Sequence, residues 1–120
     1  MDTQTLLNSL DQAFGAERDK GLVVDRFGLA PAYQGMVENS YILGVSAPSL
    51  ANSFNCNDKA DTIIDVLFSR LTPEQRRLID RVRVYGSVDE YERHAQCNFD
   101  DSYYGYCEAP LRLTQTRAVA

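Results

Sequence analysis

At 120 residues, with 44% hydrophobic and 24% charged residues, the chain has the size and composition of one folded domain rather than a disordered segment. Its formal net charge of −5 disfavours nucleic-acid binding driven by overall charge, because phosphate recognition normally leaves a basic footprint over a domain. No apolar run approaches the ~20 residues of a bilayer-spanning helix, and Met1–Thr5 shows neither the basic nor the apolar region of a signal peptide.

The three cysteines, at 56, 97 and 107, are odd in number, and no Asn-x-Ser/Thr sequon occurs. They make no disulfide framework, so reduced thiols and a cytoplasmic location are expected, with no membrane partner.

The first predicted helix runs from about Thr3 to Phe14, where Leu6, Leu7, Leu10, Ala13 and Phe14 make one apolar stripe and Gly15 suits the position after its end. Leu22–Val24 reads as a β-branched strand. Gly28, Pro31 and Gly35 punctuate the stretch to Asn39 as a loop or broken hairpin. Tyr41–Val45 is the next strand, and Gly44 inside it signals a bulge or a close approach of another group to the backbone. Ser46–Asn57, rich in Ser and Asn, reads as a long ordered loop.

After Asp58, the spacing of Ala60, Ile63, Ile64, Leu67, Phe68 and Leu71 predicts the central core helix. Thr72-Pro73-Glu74-Gln75 is a capping box that opens a second helix to about Arg81. Arg81–Tyr85 alternates like a half-buried strand, and Ser87–Glu90 caps a short helix reaching about Gln96. Tyr103–Cys107 and Leu111–Thr116 read as a last pair of strands, with the terminus frayed from about 117. The fold class expected is α+β: one compact domain over residues 1–120, a small, mostly antiparallel sheet packed by helices, order α-β-β-α-α-β-α-β(β).

Three groups of residues carry candidate chemistry. Cys56, His94, Cys97 and Cys107 form a donor set of the kind that holds structural zinc, although no Cys-x2-4-Cys knuckle is present. On a short helix His94 and Cys97 would both face outward, and buried cysteines commonly act as small hydrophobes; the expected cofactor is none, with zinc or thiol chemistry as the alternative. Arg70, Arg76, Arg77, Arg81 and Arg83 crowd one helix and strand; Arg76, Arg77, Arg81 and Arg83 could bind anions, or pair internally with Asp80 along a helix. Asp100, Asp101, Tyr103, Tyr104 and Tyr106 combine acid with tyrosine, a pairing suited to a protein interface.

No phosphate-loop, dinucleotide or metalloprotease motif occurs, and the paired carboxylates Asp89-Glu90 and Asp100-Asp101 are sequence neighbours on a cap and a turn, where such pairs are more often solvated than set facing one cleft. The expected function is therefore a non-enzymatic, acidic interaction module. In its most concrete form it is an inhibitor or accessory protein that uses the Asp100–Tyr106 region to occupy a basic, nucleic-acid-binding surface of another protein. Two alternatives remain: a metal- or thiol-dependent protein, and an RNA or phosphate binder using the arginines. Self-pairing through the tyrosine strand would make a homodimer.

Overall fold

The computed structural model describes residues 3–36, 38–48, 56–96, 99 and 106–110. Its elements follow in the order α1 (Thr3–Arg18), β1 (Arg26–Pro31), β2 (Tyr41–Ser46), α2 (Cys56–Arg70), α3 (Pro73–Arg77), β3 (Ile79–Tyr85), α4 (Val88–Ala95) and β4 (Tyr106–Pro110), with a 3-10 turn at Ala32–Gly35. The strands form one four-stranded sheet in chain order. β1–β2 and β3–β4 are antiparallel, while β2–β3 is parallel. The chain between them permits the parallel pair, since α2 and α3 supply the long crossover that parallel neighbours need. The fold is thus a single-domain α+β fold in the expected order, and the further strand expected over Leu111–Thr116 lies outside the described residues.

The sheet is covered on both faces. On one, Leu6, Leu10 and Phe14 of α1 and Ile63, Ile64 and Leu67 of α2 pack against Leu43 and Val45 of β2 and Ile79, Val82 and Val84 of β3. On the other, α4 lays Tyr91 over Ala30, Ile42 and Tyr85, with Phe99 beside it. Ile79 and Val82 share a face although they are three residues apart. A bulge explains this: Tyr41 pairs with Ile79 and Ile42 with Arg81, so Asp80 is the extra residue that switches the alternation.

Gly28 and Gly44 face each other across β1 and β2. A Cβ at Gly44 would lie 2.5 Å from the Phe99 ring, and one at Gly28 would lie 2.5 Å from the Tyr91 hydroxyl. The facing glycines thus make a flat patch on which two aromatic side chains rest, the close approach that Gly44 signals in the sequence.

Several boundaries differ from the sequence expectations. α1 continues past Gly15 through Ala16–Arg18, and the left-handed residue that ends the turn is Gly21 at φ 99°. The first strand is Arg26–Pro31 rather than Leu22–Val24. Leu22 is instead a buried core residue with Val24 packed beside it. Pro31 is tolerated because it ends an edge strand, where a missing N–H removes no ladder bond. α2 opens at Cys56, before Asp58, so the expected Ser46–Asn57 loop loses Ser46 to β2 and its last two residues to α2; residues 49–55 lie outside the described residues.

The Thr72 capping box is present, with Thr72 Oγ1 accepting from the Gln75 N–H at 3.2 Å and Gln75 Oε1 accepting from the Thr72 N–H at 3.0 Å. The helix it opens stops at Arg77, because pairing with β2 takes the chain into β3 from Ile79. At α4, Ser87 accepts from the Glu90 N–H, but the Glu90 carboxylate reaches the Gly86 N–H at 3.3 Å rather than that of Ser87. β4 is described from Tyr106, and Tyr103–Gly105 of the expected strand lie outside the described residues.

Candidate functional site

The most distinctive polar cluster lies where the β1–β2 connection meets the start of β3. The 3-10 turn after Pro31 carries Tyr33 in the left-handed region at φ 54°, and Asn39 at φ 57° follows before β2. An Ala32 N–H to Ser40 carbonyl bond of 2.9 Å closes the connection. The Tyr33 hydroxyl donates to Oδ1 of Asp80 at 3.1 Å, and Nε of Arg81 donates to Oδ2 at 2.8 Å. The Arg81 guanidinium also stands 5.6 Å from the centre of the Tyr33 ring.

The bulge is what aims Asp80 at the turn, and its side chain is buried at 6% exposure. Both carboxylate oxygens are engaged, one by a hydroxyl and one by a cation. That satisfies a group whose burial would otherwise be costly, and it makes Asp80 an anchor for the turn rather than an open base. What the anchor displays is apolar. Tyr33 is 47% exposed and Met36 is 85% exposed, and among the described residues these are the large hydrophobic side chains left in water. Beside them Pro31, Gly35, Glu38, Asn39, Ser40 and Tyr41 line an open recess of about 300 Å³.

The arginines are dispersed among different tasks. Arg70 pairs with Glu17 of α1 at 2.8 Å. Arg76 donates to the Leu71 carbonyl at 2.9 Å and lies 4.4 Å from the centre of the Phe68 ring. Arg77 is exposed, Arg81 holds Asp80, and Arg83 is buried at 6% exposure on β3. The Arg76–Asp80 and Arg77–Asp80 helical pairs expected from spacing do not form, because Asp80 is on β3 and not on α3.

His94 does not face outward. It is buried at 2% exposure, and its ring stacks on Tyr85 at 4.8 Å and 24°. Helix α4 turns it inward with Tyr91, three residues earlier, on the face that covers the sheet. Cys56 is the first residue of α2, Cys107 pairs with Val84 on β4, and Cys97 lies outside the described residues. Among the described residues no three His, Cys, Asp or Glu side chains converge as metal ligands. Of the acid–tyrosine group, Tyr106 pairs with Tyr85 on β4, while Asp100, Asp101, Tyr103 and Tyr104 lie outside the described residues.

Tyr33, Met36 and Asp80 escape sequence reasoning. Their stretch reads as a Gly- and Pro-punctuated loop, and Asp80 as a helical ion-pair partner. The available signal is a tyrosine and a methionine set three apart in a turn, where polar residues are usual. No helix among the described residues is long and apolar enough to cross a membrane. Compared with known proteins, the chain matches no family model, no curated relative and no solved structure.

Proposed function

We propose that this protein is a non-enzymatic interaction module that docks on another protein through the Tyr33–Met36 turn. One observation carries the proposal: two exposed large hydrophobic side chains share a turn that a buried carboxylate holds in place. Tyrosine, methionine and arginine are enriched at protein interfaces, and Arg81 packs against Tyr33 here. A turn already fixed before binding loses little conformational freedom on docking, so its apolar area converts to affinity efficiently.

The net charge of −5 favours a partner with a basic surface, and the exposed Glu38 beside the turn is of the matching sign. In the fuller form of this proposal the protein is a cytoplasmic inhibitor or accessory protein. Asp100, Asp101, Tyr103, Tyr104 and Tyr106 then add a second contact to a surface that otherwise takes nucleic acid.

The test is a photo-crosslinking amino acid placed at Met36 and, as a control, at the exposed Glu74, each exposed to extract of the source cells. A discrete crosslinked protein is expected from position 36 only, and Tyr33→Ala should weaken its capture by about tenfold or more, the scale of an interface hot spot. Equal labelling from both positions, or capture unaffected by Tyr33→Ala, would count against the turn as the docking element.

A further inference from the structure

The outer edge of β1 has a hydrogen-bonding pattern that can be read residue by residue. The Tyr41 N–H donates to the Leu78 carbonyl, and the Ala47 N–H to the Tyr85 carbonyl, so odd-numbered residues of β2 turn their backbone groups toward β3. Even-numbered residues of β2 therefore serve β1, as the Ala32–Ser40 bond also shows. With Gly28 opposite Gly44 and Ala30 opposite Ile42, the inward-facing residues of β1 are Arg26, Gly28 and Ala30. The N–H and C=O groups of Phe27 and Leu29 point away from the sheet, and β1 pairs with no strand on that side among the described residues.

Edge strands are normally blunted by charge. Between Arg26 and Pro31 this edge reads Phe27-Gly28-Leu29-Ala30, with no charge. Phe27 and Leu29 are only partly buried, on the face packed by α1 and α2.

We propose that the β1 edge pairs antiparallel with the same edge of a second copy of this chain, about a two-fold axis through Gly28. In that register Phe27 faces Leu29 of the other copy, and the reverse. Every outward N–H and C=O of these two residues is then satisfied. Pairing stops there for a covalent reason on one side, since Pro31 has no N–H to offer. On the other side the Asp25 N–H is already committed to the Ser46 carbonyl at 2.9 Å. A symmetric patch closing on itself gives a dimer rather than a fibre, and the half-buried Phe27 and Leu29 supply apolar area beside the new bonds. This surface is distinct from the Tyr33–Met36 turn, so the dimer and the docking proposal stand or fall separately.

The test combines sedimentation at increasing protein concentration with hydrogen exchange at single amides of the full chain. A monomer–dimer equilibrium is expected, with the Phe27 and Leu29 amides gaining protection as concentration rises. Because each copy carries −5, the dimer fraction should increase with salt. Leu29→Pro removes one outward donor and should shift the equilibrium to monomer with the circular dichroism spectrum retained. Double substitution of Tyr33 and Met36 by Ala should leave the dimer intact. A monomer at every concentration, or a dimer in which the Phe27 and Leu29 amides stay unprotected, would overturn the proposal. Hydrogen exchange on the unaltered chain decides the matter even if Leu29→Pro fails to fold.

Discussion

The two faces of the sheet are built from different materials. Against α1 and α2 the sheet presents branched aliphatic side chains, Leu43 and Val45 on β2 and Val82 and Val84 on β3, and the contact is mainly aliphatic, with Phe14 and Phe27 as an edge-on pair at 5.3 Å. Against α4 the same strands present Ile42, Gly44 and Ser46 on β2 and Tyr85 on β3, and the cover is aromatic. Tyr85, Tyr91 and Phe99 meet ring to ring at 5.3–6.1 Å, with His94 stacked on Tyr85. The first face is held by volume that must not be removed. The second is held by large flat groups resting on residues that must stay small.

Substitutions on the two faces should therefore fail in opposite directions. The largest effect is expected on the aliphatic face, where Leu67→Ala deletes a fully buried side chain and should cost about 2–5 kcal/mol in denaturant unfolding. On the aromatic face the damaging change is an addition. Gly44→Ala puts a methyl group 2.5 Å from the Phe99 ring and should cost about 1–3 kcal/mol, with more for Gly44→Val. If Gly44→Ala were neutral, the close seating of Phe99 on the sheet would be wrong.

A smaller effect separates the faces by pH. Burial, with a lesser contribution from Glu92, raises the Tyr91 hydroxyl above its ordinary value of 10.0 against the opposing pull of Arg26. The protonated form is thus favoured in the folded state. Its contribution is complete below pH 10.0 and is lost as the pH rises from there toward the raised folded value. Unfolding midpoints of the native chain should drop more steeply above pH 10.0 than those of Tyr91→Phe. Parallel curves would show that Tyr91 is not buried as described.

The smallest effect concerns Ser46, whose hydroxyl is buried without a hydrogen-bond partner among the described residues. Ser46→Ala should be neutral or stabilising, within about 1 kcal/mol, because it removes a buried polar group that nothing repays. A clear loss of stability would reveal a partner for that hydroxyl.

Legibility followed the range of the forces involved. The Thr72 cap, the apolar stripes of α1 and α2 and the element order are set by residues within a few positions of each other, and the structure reproduces them. β1 was harder because Gly28 and Pro31 carry turn signals locally, yet the first is needed under Tyr91 and the second ends an edge. Arg81–Tyr85 alternates as a half-buried strand does, but β3 lies between β2 and β4 and beneath α4, which buries Arg83 and Tyr85 as well. The Tyr33–Asp80 contact joins residues forty-seven apart in the chain, beyond any local pattern.

By itself the sequence determined the composition of an acidic, folded α+β domain, the starts of α1, α3 and α4 and the apolar periods, since these depend on neighbouring residues and on backbone propensity. The tertiary structure alone decided that β2 and β3 run parallel, that His94 is a core residue, and that Asp80 fixes an exposed turn. Each of those outcomes depends on which strands become neighbours, and strand neighbours are chosen by packing across the whole chain.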